Sequence, residues 1–197
     1  MDMRNTSSRY IERREEIETY FDRTAVQAWE RLTSTAPVGR IRATVRAGRD
    51  QMRHNLLSWL PHDMHGLRLL DAGCGTGALA LEAAARGAEV VAIDLSPALV
   101  NVARERMNTL LAAHPVAGRI EFRSGDMLDP ALGEFDHVVA MDSLIHYRAA
   151  DIVNSLSRLA ARTSTSIVFT AAPRTPATML MLGMGRLFPR GDRSPAI

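Results

Sequence analysis

With 197 residues, 46% of them hydrophobic, the chain suits one well-buried catalytic domain and leaves no room for a second full domain. A net charge of +2 excludes a general nucleic-acid binder; all 24 basic residues are arginines, and no basic run is interleaved with aromatics. The single Cys74 excludes a disulfide framework, and the absence of a signal-like or membrane-length apolar run predicts a cytosolic protein with membrane contact at most peripheral.

Residues 1–62 read as a helical extension, a lid in front of a Rossmann-like domain over 63–197. A helix is predicted over 10–32, anchored by Tyr20, Phe21 and Trp29, and the break at Pro37-Val38-Gly39 ends it. A second helix is predicted over 39–60, with Ile41, Val45, Gly48, Met52, Leu56 and Trp59 on one face. Beside that face Arg42, Arg46, Arg49 and Arg53 follow one another at helical spacing and form a guanidinium stripe. Such a stripe is an ordinary solvated face unless the substrate is anionic, in which case it is a carboxylate clamp.

From residue 66 onward strands and helices alternate. Strands are expected near 67–71, 89–93, 119–123, 136–141 and 166–171, with helices near 77–86, 97–113 and 149–162, the rhythm of a parallel sheet with right-handed crossovers. Ligands of such sheets bind at the carboxyl ends of the strands. An apolar helix is read at 176–188, too short to span a membrane.

The first strand runs into Asp71-Ala72-Gly73-Cys74-Gly75-Thr76-Gly77. Glycine lets the backbone turn tightly and approach a ligand, and the next helix begins with unpaired N–H groups. A dinucleotide turn needs G-x-G-x-x-G around a pyrophosphate. Here the third glycine comes one position early, and Asp71 would repel phosphates. S-adenosyl-L-methionine carries an ammonium and a sulfonium instead, and the pattern resembles motif I of the Rossmann-like methyltransferases. Asp94 closes the second strand, where an acid bonds ribose hydroxyls, with Leu95 beside it. Asp126 closes the third, suited to an adenine amino group, with Met127 suited to the ring face. Met141 ends the fourth strand, and His146 and Tyr147 follow at the rim of the cofactor cleft. The turn and Asp94 alone fit any methyltransferase acting on a small-molecule carboxylate or hydroxyl, and a noncatalytic tetrapyrrole-binding partner is a further alternative.

The segments Tyr20-Phe21-Asp22, Arg40 to Arg49, Met141 to Tyr147, Thr170 to Thr175 and Leu187-Phe188-Pro189-Arg190, together with the glycine turn, resemble the magnesium protoporphyrin IX O-methyltransferases over nearly the whole chain. The resemblance implies a class I methyltransferase of (bacterio)chlorophyll biosynthesis that esterifies a propionate of Mg-protoporphyrin IX. It implies His146 and Tyr20 as catalytic residues, Arg42, Arg46, Arg49 and Tyr147 as substrate-binding residues, and the porphyrin-binding subunit of magnesium chelatase as a partner. Magnesium is expected only inside the substrate, with no protein-held metal. Methyltransferases of this class end in an antiparallel strand pair, and no strand-like run follows Pro189, so that pair is expected to be missing.

Overall fold

The structure is a computed structural model that describes residues 3–25 and 40–171. The apolar runs become the strands of one parallel sheet, β1 (Arg68–Ala72), β2 (Glu89–Asp94), β3 (Arg119–Ser124), β4 (Phe135–Ala140) and β5 (Thr163–Phe169), in the order β3-β2-β1-β4-β5. Among the described residues five α-helices flank it: α1 (Met3–Thr19), α2 (Arg40–Ser58), α3 (Ala78–Ala85), α4 (Pro97–Ala113) and α5 (Ala149–Ala160). Successive strand residues point to opposite faces, so each run supplies two apolar surfaces. Leu70, Ala72, Val91, Ile93, Val138 and Ala140 pack on one side with Tyr10, Ile17 and Phe21 from the N-terminal segment and Leu159 of α5. Leu69, Val90, Ala92 and Val139 pack on the other with Leu56, Leu57 and Leu60 at the end of α2 and Leu79, Ala80, Ala83 and Ala84 of α3. The order reverses between β1 and β4, and the crevice at their carboxyl ends is where such a sheet holds a ligand.

The predicted strands and core helices lie close to those observed. β5 starts at Thr163, three residues before its predicted position, because its Thr-Ser-Thr-Ser opening is polar yet pairs with β4 through the backbone. The first helix begins at Met3 and its α-helical part ends at Thr19, where the chain passes into a π-helical turn, Tyr20–Ala25. Residues 26–39 and 172–197 lie outside the described residues, and with them Trp29, Pro37 to Gly39, the helix expected at 176–188 and the segments beyond Ala171. Among the described residues no helix is long and apolar enough to cross a membrane.

The apolar face predicted for α2 is corrected. Val45 and Gly48 are exposed, and Trp59 is 71% exposed. The face turned inward carries Arg46, Arg49, Met52, Arg53, Leu56, Leu57 and Leu60, at three- and four-residue steps. An arginine can bury its methylene stem while its guanidinium stays at a polar cleft, so a stripe that looks solvated can be the packed one.

Candidate active site

The glycine turn after β1 is fixed by main-chain bonds across to β2. The N–H groups of Gly73 and Cys74 both donate to the carbonyl of Ile93, at 2.8 and 2.9 Å. Asp94 then accepts from the N–H of Gly75 at 2.8 Å through one oxygen and from the N–H of Ser96 at 3.0 Å through the other. Gly73 has φ of 89°, and a Cβ there would lie 2.3 Å from the Cβ of Ser143. Ser143 is held in that position by donating to the carbonyl of Ala72 at 2.7 Å. Gly75, at φ 52°, faces open space. No L side chain fits the first position, and at the second one would intrude on whatever occupies the crevice.

The crevice is a cavity of about 500 Å³, within the range of small-molecule sites. One wall is the turn, with Gly73, Gly75, Asp94 and Leu95; the opposite wall is α2, with Arg46, Arg49 and Arg53; and Met127, Met141, Asp142, His146 and Tyr147 complete it. Asp71 lies beneath the turn, 1% exposed, with its Oδ2 lacking a hydrogen-bond partner. Burial, helped by the neighbouring Asp94 carboxylate, pushes its pKa up to about 7. Burial also raises Asp94 above its ordinary value, against the pull of its backbone donors, and holds the Cys74 thiol well above its own. A thiol so held is a packed turn residue, not a nucleophile.

Side chains join the N-terminal helices to this floor. Arg49 Nη1 meets Asp142 Oδ2 at 2.6 Å, and Arg53 reaches Glu82 of α3 at 2.5 Å and Asp50 at 3.0 Å. On the other side of the cleft, Arg13 donates to the carbonyl of His146 at 2.8 Å, and the ring of Phe21 stands edge-on to the His146 ring, centroids 5.3 Å apart. Asp22 accepts from the N–H of Ala98 at 3.0 Å and from the Ser96 hydroxyl, so the π-helical turn also caps the start of α4. Arg158 and Arg162 donate to the carbonyls of Met127, Leu128 and Asp129, fixing the loop that carries Met127.

Of the residues read from the sequence, the structure brings Asp71, Gly73, Gly75, Asp94, Leu95, Met127, Met141, Arg46, Arg49, His146 and Tyr147 to one cavity. Gly77 stands behind the turn at the start of α3, packed against the ring of Phe122. The Arg42 side chain lies outside what is described. Two placements are corrected. Tyr20 is not among the residues that line the cavity, and Phe21 is, with the Tyr20 ring standing edge-on to it, centroids 5.1 Å apart. Asp126 lies outside the lining, in a shallow groove with Arg14 and Ser124. Its carboxylate accepts from the Tyr10 hydroxyl at 2.9 Å and the Leu128 N–H at 2.8 Å, and Arg14 stands at 3.4 Å, so α1 meets the group that was read as an adenine ligand. Sequence reading missed Asp142, and Phe21 as the partner of His146; Arg53, read as a member of the guanidinium stripe, lines the cavity with Arg46 and Arg49. Asp142 gave one local signal, an acid immediately after a strand end, and its Arg49 partner is 93 residues away. Among the described residues no group of three His, Cys, Asp or Glu side chains is placed to hold a metal.

Comparison with known proteins agrees with this geometry. Residues 140–197 match the family described as magnesium-protoporphyrin IX methyltransferase C-terminus, and residues 69–165 match a general methyltransferase domain. A magnesium-protoporphyrin O-methyltransferase of Rhodobacter capsulatus is 52% identical over 191 residues, covering 96% of this chain and 83% of that protein. The crystal structure of magnesium protoporphyrin IX methyltransferase from Synechocystis with bound SAH superposes with a TM-score of 0.78 at 27% identity, covering 92% of this chain and 80% of that one. The same protein with bound SAM gives a TM-score of 0.74 at 26% identity, covering 87% and 85%. A parallel sheet with a glycine turn at its switch point, matched along almost its whole length by such a relative, places this chain in the magnesium-protoporphyrin O-methyltransferase family.

Proposed function

We propose that the chain transfers the methyl group of S-adenosyl-L-methionine to a propionate carboxyl of Mg-protoporphyrin IX, giving the monomethyl ester. The observation that carries this reading is the sharing of one 500 Å³ cavity by the glycine turn with Asp94 and by His146 with the α2 arginines. The donor supplies an electrophilic methyl on a sulfonium. Asp94 and the turn fit its nucleoside and tail: the acid, with both oxygens anchored by backbone N–H groups, keeps lone pairs for ribose hydroxyls. Leu95, Met127 and Met141 offer apolar contact for a ring and a thioether.

A propionate, with a pKa near ~4.5 like a Glu side chain, is ionised at neutral pH, so the nucleophile needs no general base. What remains is positioning, which can supply roughly 7–11 kcal/mol of a displacement barrier. His146 is held at its ring by Phe21 and at its backbone by Arg13, so it is placed as an orienting group for the carboxylate. Guanidinium groups on α2 supply the matching positive charge. The reaction converts an anion and a cation into a neutral ester and a neutral thioether, so a cavity walled by Ile17, Phe21, Ile93 and Leu99 favours it over water. The N-terminal segment contributes Ile17 and Phe21 to this wall and acts as the lid, and magnesium enters inside the substrate.

The test is labelled S-adenosyl-L-methionine with Mg-protoporphyrin IX and a panel of other carboxylates. Label in the porphyrin monomethyl ester is expected, and no transfer to any porphyrin overturns the reading. In the variant His146→Ala turnover is expected to fall roughly 100-fold, as for a misplaced reactant. S-adenosylhomocysteine affinity by calorimetry should stay within about twofold, since turnover and donor binding are then separate properties. A collapse of that affinity makes His146 a structural residue.

A further inference from the structure

The helix α1 is mostly polar and charged, yet one of its faces is spent on the floor of the cleft. Tyr10, Arg13 and Ile17 follow one another at steps of three and four, and Phe21 continues the line into the π-helical turn. Ile17 and Phe21 line the cavity; Tyr10 and Arg13 lie outside the lining and meet the segment that carries His146. Arg13 Nε donates to the carbonyl of His146 at 2.8 Å, and the Tyr10 ring stacks on the ring of Tyr147, centroids 5.4 Å apart with 17° between the planes. We propose that Tyr10 and Arg13 are positioning residues for the methyl transfer, holding the His146–Tyr147 segment so that the His146 ring meets the acceptor carboxylate in register. This rests on the orienting role given to His146 above, and it names two residues outside the cavity on which that role depends.

Three features support the assignment. His146 ends a 3-10 turn of three residues, Leu144–His146, closed by the bond from the Tyr147 N–H to the Leu144 carbonyl at 3.0 Å. So short a turn defines its own geometry poorly, and contacts from outside decide where its side chains stand. The second feature is the burial of Arg13. Its side chain is 17% exposed, whereas that of Glu16, which meets its Nη1 at 2.9 Å, is 63% exposed, so the guanidinium lies against the protein with the acid on its outer edge. A charged donor on a carbonyl makes one of the stronger hydrogen bonds. The third feature is the double anchorage of Tyr10, which is 7% exposed. Its ring lies on Tyr147, and its hydroxyl donates at 2.9 Å to Asp126, whose carboxylate is itself fixed by the Leu128 N–H at 2.8 Å. The stack therefore cannot slide along α1, and it ties His146 to the loop after β3. A misplacement of about 1 Å in an orienting group costs on the order of 100-fold in rate, so residues that never touch the substrate count here.

The experiment measures turnover of the full chain with labelled S-adenosyl-L-methionine and Mg-protoporphyrin IX in Arg13→Ala and Tyr10→Leu. In each, kcat is expected to fall roughly 10-fold. KM for both substrates, and S-adenosylhomocysteine affinity by calorimetry, should stay within about threefold, since neither residue lines the cavity. Tyr10→Phe, which keeps the ring, and Arg13→Lys, which keeps a charged donor, should recover most of the loss. The deciding measurement combines Arg13→Ala with His146→Ala. If Arg13 acts through His146, the double variant turns over at the rate of His146→Ala alone. Losses that multiply mean that Arg13 serves some other group, and they overturn the proposal. A parallel collapse of S-adenosylhomocysteine affinity overturns it as well, because α1 then belongs to the donor site. Unchanged turnover in Arg13→Ala and Tyr10→Leu, with His146→Ala still slow, overturns it and leaves the role of His146 intact. If His146→Ala itself turns over like the parent, that role fails and the positioning fails with it.

Discussion

The two walls of the cavity are built by different means. The turn wall is backbone: Gly73 and Gly75, main-chain bonds to Ile93 and an Asp94 whose two oxygens are each anchored by an N–H group. The α2 wall is side chain: arginines reaching 29 and 93 residues along the chain to Glu82 and Asp142. A backbone wall is rigid and depends on the absence of a Cβ. A side-chain wall is adjustable, and solvent and salt act on it.

The largest expected effect lies on the backbone wall. Gly73→Ala places a Cβ 2.3 Å from that of Ser143, at a φ of 89°. Left-handed strain and overpacking, each on the order of 1–3 kcal/mol, add there, and urea denaturation should show the sum of several kcal/mol along with loss of donor binding. Gly75→Ala shares the positive φ and meets nothing within 4 Å, so its stability should fall by only about 1–2 kcal/mol. Its donor affinity should fall all the same, since the new methyl stands in the cavity. If the two variants are equally unstable, the packing of Gly73 on Ser143 is not what fixes the turn.

Asp71 supplies the next effect, one of pH. Its pKa rises from 3.8 to about 7 on folding. Between those values the folded protein holds a proton that the unfolded chain has released, so this residue makes stability fall as pH climbs from about 4 to about 7, with no further change above. In Asp71→Asn that contribution is absent. The variant should therefore gain on the parent as pH rises through this window, then run parallel to it above about pH 7. A difference independent of pH would show that Asp71 titrates normally.

On the side-chain wall the effect is smaller. Arg53→Gln removes contacts to Glu82 and Asp50, whose side chains are 43% and 54% exposed. Solvent screening holds such a pair to roughly 0.2–1 kcal/mol, and the loss should shrink further in high salt. A loss that salt leaves untouched would mean that Arg53 acts through packing of its stem.

The same contrast explains what could be read in the sequence. The turn, Asp94 and the strand rhythm are local patterns of chain geometry, and they lie where the sequence placed them. Neighbours in the chain also led to His146, because it follows a strand end at the switch point. Asp142, Phe21 and the bonded state of Asp126 were not legible. Each depends on a helix arriving from the N-terminal segment: α2 bringing Arg49, the π-helical turn choosing Phe21 over Tyr20, and α1 bringing Tyr10 and Arg14. Periodicity showed that α2 has two candidate faces. It does not show which one is packed when the competing stripe is arginine.

Trp59 tests that last point with the smallest effect. By spacing it belongs with Met52 and Leu56 as an apolar anchor, and a buried tryptophan cut to alanine costs about 3–5 kcal/mol. It is instead 71% exposed, just beyond the end of α2 at Ser58, while Leu56, Leu57 and Leu60 carry the contact with the sheet. Trp59→Ala should therefore change stability by no more than about 0.5 kcal/mol, the usual range for a surface site, with the cavity unaffected. A multi-kcal loss would mean that the Val45, Gly48 and Trp59 line is the packed face after all. The guanidinium stripe would then turn away from the cleft, and the place of Arg46, Arg49 and Arg53 in the cavity wall would fail with it.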